Sequence, residues 1–175
     1  MSARGNSGVI FSQFIRGFAI GCEEKQELSI SDFAISFSSG VKYAYRSVLN
    51  PVEGTMLTVI KDGGKHISNN CERYSSFEEC LADLCAETRR SLASTPELLA
   101  VLKEAGVVDS GGAGMLCVFE GMEAYLRGEI IEDNSVSSME FSASLNASFD
   151  ADSVFEYGYC TEYILLLLNS KTDVT

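Results

Sequence analysis

The chain has 175 residues, of which 46% are hydrophobic and 22% charged, a balance that supports a folded core and excludes a disordered chain. Thirteen Lys plus Arg against 25 Asp plus Glu leave a net charge of -12, which repels phosphate backbones and argues against nucleic acid as the main partner. No apolar run reaches the roughly 18 residues that a membrane helix needs, and Met1 is not followed by a signal-like apolar stretch, so neither a membrane span nor export is expected.

Six cysteines, at positions 22, 71, 80, 85, 117 and 160, form no CxxC pair. Several fall on apolar stripes, where a free thiol behaves as a small hydrophobe, and the reading is a reducing, cytoplasmic setting.

Taken in chain order, Val9, Ile10, Phe14, Ile15 and Phe18 recur at helical spacing and predict a first helix from Asn6 to about Ile20, stopped at Gly21. A second helix is expected from Ser31, as N-cap, to Leu49, before Asn50-Pro51 breaks it. A third begins near Gly54-Thr55. Ser76 with Glu79 is a capping-box signature for a fourth, which carries Cys80, Leu81, Leu84, Cys85, Thr88 and Leu92 on one face. Thr95-Pro96 reads as a cap followed by Pro at the first position of a short fifth helix that ends at Gly106. A sixth follows Asp109-Ser110-Gly111-Gly112 and closes at Gly128. Every periodic stretch from residue 5 to 127 has the helical period, so the expected fold class is all-α, with any strand confined to the far C-terminus.

Residues 131–153 are rich in Ser, Asn and Asp and read as a polar linker. The run Tyr163-Ile164-Leu165-Leu166-Leu167-Leu168 beyond it suits a buried strand at the start of a following domain, 154–175.

Three of the helix starts carry glycine and small polar residues: Arg4-Gly5-Asn6-Ser7-Gly8, Glu53-Gly54-Thr55-Met56 and Asp109-Ser110-Gly111-Gly112. The first N–H groups of a helix lack intrahelical partners and the macrodipole favours an anion there, so each is a possible phosphate cradle. Taken singly, each is better read as an ordinary cap or turn. If the three starts met at one end of an antiparallel bundle, they could share a polyphosphate. No GxxxxGK[ST] or GxGxxG motif is present, and Gly63-Gly64-Lys65 lacks the rest of a P-loop. His66, the only histidine, stands in a polar stretch and reads as a solvated residue.

The segments Ala3-Arg4-Gly5-Asn6-Ser7-Gly8-Val9-Ile10, Pro51-Val52-Glu53-Gly54-Thr55-Met56-Leu57 and Glu104-Ala105-Gly106-Val107-Val108-Asp109-Ser110-Gly111-Gly112, in this order, resemble the DhaL-type nucleotide-binding domain of the dihydroxyacetone (glycerone) kinases. Tyr157-Gly158-Tyr159-Cys160-Thr161-Glu162-Tyr163 is similar to the opening of the middle domain in A subunits of bacterial fatty acid kinases, which favours that branch. The resemblance implies an antiparallel eight-helix barrel, about six of whose helices lie in residues 1–130, binding Mg-ATP at one end. Gly5, Asn6, Ser7 and Gly8 would lie against the phosphates and Gly54, Thr55 and Met56 along the nucleoside and phosphates, with Asp109, Ser110, Gly111 and Gly112 closing the rim.

The same resemblance implies phosphoryl transfer to an acceptor presented by a partner: a fatty acid on a DegV-type fatty-acid-binding protein or, alternatively, the triose of a glycerone kinase. A non-catalytic helical scaffold is the third possibility. The family's PVPDGDTGTNM-like loop, whose aspartates hold magnesium, has no counterpart here. The stretch therefore resembles a fragment lacking roughly two N-terminal helices, with activity expected of a longer parent protein. Apolar faces left open by that loss, around Phe11, Phe14 and Phe18, are expected to make a homo-oligomer.

Overall fold

The computed structural model describes residue 3 and residues 5–129 of the chain. Among them are six α-helices, α1 (Asn6–Gly21), α2 (Ile30–Arg46), α3 (Met56–Asn70), α4 (Phe77–Leu98), α5 (Ala100–Ala105) and α6 (Ser110–Leu126), a 3-10 turn at Cys71–Arg73, and no strand. The linker, the expected strand and Cys160 lie outside the described residues.

Caps account for most boundaries. Ser76 accepts from the Glu79 N–H at 3.3 Å, while the Glu79 carboxylate accepts from the Ser75 N–H at 2.8 Å, one residue earlier than in the usual box. The second helix starts before its expected cap. Ser29, not Ser31, is the N-cap, and it forms a reciprocal box with Asp32, whose carboxylate accepts from the Ser29 N–H while the Ser29 hydroxyl accepts from the Asp32 N–H. That helix also ends at Arg46 rather than Leu49, where the Ser47 hydroxyl donates to the Ala44 carbonyl and satisfies one of the free acceptors of the last turn.

Lys25 adds an ion pair to Asp32 at 2.6 Å. Hydrogen bonds from Lys25 and Ser29 hold the Asp32 carboxyl at about 2, below its ordinary 3.8. A carboxyl whose folded pKa is depressed contributes stability that is present above the unfolded value and is lost as the pH falls through the folded one. Thermal melts of wild type and Asp32→Asn should therefore differ at pH 5 and converge as the pH approaches 2; a constant difference would show that the charge on Asp32 is not what the box uses.

The fifth helix departs most from expectation. Helix α4 runs through Pro96 to Leu98, and α5 starts only at Ala100. Pro normally breaks a helix because it leaves the carbonyl four residues back without a donor. Here that carbonyl, of Leu92, is met at 2.7 Å by the Thr95 hydroxyl. Thr95 thus serves α4 from within instead of capping α5.

The core runs along the inner faces of α1, α2, α3, α4 and α6. Phe37, 1% exposed, stands in it against three rings: Phe14 at 5.0 Å between centroids, Phe119 at 5.4 Å and Phe33 at 6.1 Å. Phe14, expected at a self-association surface, is buried here; Phe18 is half-buried against the same cluster and Phe11 is exposed. Helices α1 and α2 approach so closely that a Cβ on Gly17 would lie 2.7 Å from the Ser39 carbonyl oxygen, and one on Gly40 would lie 2.8 Å from that of Phe14. The Gly63-Gly64 pair has a packing reason of the same kind: it admits Leu84 on one side and Phe37 on the other. Two buried thiols, Cys80 and Cys85, are pushed up to about 11 and about 12, chiefly by burial. No described helix is long and apolar enough to cross a membrane.

Candidate functional site

The antiparallel run of the bundle brings the starts of α1, α3 and α6 to one end. A cavity of about 250 Å³ there is lined by Asn6 and Ser7 from α1, Thr55, Met56 and Leu57 from α3, and Asp109 ahead of α6. Ile10 and the connection after α2, with Val48, Asn50 and Val52, complete its wall. Five of the residues expected at a shared phosphate site therefore line one cavity. The other six, Gly5, Gly8, Gly54, Ser110, Gly111 and Gly112, belong to the same three chain segments without being among the lining residues.

The three starts differ in how their N–H groups are satisfied. Helix α1 begins after Gly5, at φ 73°, with no side-chain cap, and the N–H groups of Asn6, Ser7 and Gly8 meet no partner among the described residues. Helix α3 has a loose cap, the Thr55 hydroxyl accepting from the Leu57 N–H at 3.4 Å. Helix α6 has a tight one, the Asp109 carboxylate accepting from the Gly112 N–H at 2.7 Å. The helices are 16, 15 and 17 residues long, enough for each N-terminus to carry its share of the macrodipole. Among the described residues, N–H donors without a partner are thus most numerous at α1.

The turn into α3 is held by a polar knot that individual motifs did not reveal. Glu53 accepts from Thr58 at 2.6 Å, Lys61 at 2.7 Å and Tyr45 at 3.1 Å, and the Gly54 N–H donates to the Thr58 hydroxyl at 2.8 Å. Burial raises the Glu53 carboxyl, but the hydrogen bonds from Lys61 and Thr58 outweigh it, and the group sits below the ordinary carboxylate range. Burial, with Glu53 beside it, pushes the Tyr45 phenol up to about 12. Two things favour glycine at position 54: its φ of 82° disfavours any side chain, and a Cβ would lie 2.9 Å from Leu99 Cβ and 3.0 Å from the Thr95 carbonyl oxygen.

The donor set suits an anion better than a metal. Magnesium requires several hard oxygens free to converge. In this cavity the Asp109 carboxylate is engaged at the α6 cap, and Glu53, next in sequence to the lining Val52, is engaged by three donors. Among the described residues no group of three or more His, Cys, Asp or Glu side chains could hold a metal ion. The magnesium of the resembled family does not fit the residues described here. His66 lies apart from the cavity, its Nε2 2.8 Å from Asp83 Oδ2, which also accepts from the Tyr74 hydroxyl at 2.6 Å. It is half-buried and paired rather than freely solvated.

Comparison with known proteins matches these blocks to a family. The model of the DAK2 domain matches residues 1–124. An uncharacterized protein of Staphylococcus epidermidis is 46% identical over 176 residues, covering 98% of this chain and 32% of that protein. Protein YloV of Bacillus subtilis is 42% identical over 180 residues, covering 99% of this chain and 32% of YloV. An uncharacterized protein of Staphylococcus haemolyticus is 44% identical over 170 residues, with 94% of this chain and 31% of the relative covered. The chain spans about a third of the length of these curated relatives. By the extent of the match, the chain belongs to the DAK2 domain family, the DhaL-type domain that its own motifs resemble.

Proposed function

We propose that the cavity at the starts of α1, α3 and α6 receives the polyphosphate of ATP, and that the parent protein is an ATP-dependent kinase. The acceptor in this reading is a fatty acid carboxylate held by a DegV-type fatty-acid-binding protein. The observation that carries the nucleotide part is the meeting of three helix N-termini, one uncapped, around one cavity. Phosphoryl transfer asks a protein mainly to position the phosphates and to answer their charge. Backbone N–H groups of Asn6, Ser7 and Gly8 would do the first, aided by the Asn6 and Ser7 side chains. The acceptor part is supported by the likeness of Tyr157 to Tyr163 to a fatty acid kinase middle domain. The triose of a glycerone kinase is the alternative acceptor.

Magnesium bound to ATP would neutralise phosphate charge, and its protein ligands in this reading belong to an aspartate loop outside these 175 residues. The misfit of the described carboxylates to a metal keeps a second reading in play, a helical scaffold that retained the fold without catalysis. Cytoplasmic residence and self-association belong to the same proposal. Calorimetric titration with ATP tests the nucleotide part. Wild type should bind weakly, in the millimolar range of ~4 kcal/mol, and Ser7→Leu should bind at least about tenfold more weakly, because the leucine fills the approach to the α1 N–H groups. Equal heats for the two proteins would remove the phosphates from α1.

A further inference from the structure

Thr95 is 0% exposed, and its hydroxyl makes two bonds. It donates to the Leu92 carbonyl at 2.7 Å and accepts from the Asp109 N–H at 3.1 Å, across 14 residues of sequence. The first bond serves α4 locally, as a buried Thr commonly does. The second has no such local reason: it fixes the residue whose carboxylate caps Gly112 and whose carbonyl accepts from the Ala113 N–H at 2.9 Å, so it sets where α6 begins. The backbone of Thr95 meets the other site segment, since its carbonyl oxygen lies 3.0 Å from the place a Gly54 Cβ would take. That oxygen is held in turn by the Leu99 N–H at 3.1 Å. One buried residue therefore touches the turn into α3 on one side and the cap of α6 on the other.

We infer that Thr95 is a positioning residue that holds the 51–55 turn and the start of α6 in register, so that both present their N–H groups to the same ligand. The ligand half of this inference rests on the nucleotide reading above; the coupling half does not. Pro96 is part of the device. Without an N–H at Pro96, the Leu92 carbonyl orients the Thr95 hydroxyl proton, which leaves the oxygen lone pairs for Asp109.

The test uses the whole chain in four forms: wild type, Thr95→Val, Thr95→Ser and Thr88→Val. Valine keeps the shape of threonine and removes the hydroxyl, leaving the buried Leu92 carbonyl and the part-buried Asp109 N–H without their partner. Serine restores the hydroxyl. Thr88, buried on the same helix with a hydroxyl that meets no partner among the described residues, supplies the control for losing a buried hydroxyl as such. Two readouts are taken, affinity for ATP and for tripolyphosphate, and hydrogen exchange at the Asp109, Gly112 and Gly54 amides.

Thr95→Val should lose roughly tenfold in affinity for both ligands, as expected for a lost hydrogen bond that leaves a buried partner unpaired. Exchange should accelerate at all three amides relative to Thr88→Val, and Thr95→Ser should recover both readouts to within about twofold. Faster exchange at Asp109 with Gly54 unchanged would overturn the coupling, and unchanged affinity in a folded Thr95→Val protein would overturn the positioning role. If wild type binds neither ligand, the nucleotide reading falls while the three amides still decide the coupling. Should Thr95→Val not fold, the wild-type Asp109 amide decides: exchange there as fast as in the exposed residues before it contradicts the bond.

Discussion

Phe37→Ala should lower the stability of the domain by about 3–5 kcal/mol, the range for deleting a buried aromatic ring and leaving a cavity. Phe37 lies on α2 and meets Phe14 of α1 and Phe119 of α6, as well as its own helix neighbour Phe33. The tilted and edge-on rings, at 73° to Phe14 and 44° to Phe119, cannot close the gap by simple translation. Because α1 and α6 both contribute a start to the cavity, the substitution should also loosen the site from a distance. Chemical denaturation with a helical signal measures the first effect; a loss below about 1.5 kcal/mol would show that the cluster is less specifically packed than its geometry implies.

Gly54→Val should be nearly as costly, for a different reason. A β-branched residue at φ 82° is strained whatever the space around it, and here its Cβ would meet Leu99 Cβ, Leu98 Cβ and the Thr95 carbonyl at 2.9–3.0 Å. Backbone strain and steric overlap together should cost roughly 3 kcal/mol or more, or displace the turn and with it the Glu53 knot. In the displaced case ATP affinity falls even if the helices persist. Melting temperature and ATP titration distinguish the two, and a valine variant that matches wild type in both would contradict the assigned backbone.

Where the sequence was legible, a side chain spoke for its own backbone. Thr55, Ser76 and Asp109 were readable as starts because each pairs with an N–H two or three residues on. Ser29 was missed since its partner is Asp32 rather than the Glu or Gln of the usual box, while Ser31 offered an equally plausible cap two residues later. Thr95-Pro96 misled for the opposite reason: the pair has the grammar of a helix start, and only the bond from the Thr95 hydroxyl to Leu92 lets α4 continue through proline. The meeting of the three glycine-bearing starts requires α1, α3 and α6 to run in the same direction within the antiparallel bundle, which no local pattern encodes; the resemblance of the ordered blocks carried that expectation. Asn50, which lines the cavity, stands in a connection with no periodicity to mark it, and Val48, read as part of the second helix, lies past its end. The Glu53 knot joins residues 45, 53, 58 and 61 of two helices and a turn, so it too appears only with the fold.

The central claim is the placing of a polyphosphate at the three helix starts, and amide-resolved NMR titration of the chain with ATP, with and without magnesium, tests it most directly. The amides of Asn6, Ser7, Gly8, Met56, Ser110 and Gly111 should shift together along one weak binding curve, the α1 amides most, with magnesium adding little to the affinity of these 175 residues. Shifts centred on His66 and Arg90, no shift at α1, or tight magnesium-dependent binding would contradict it.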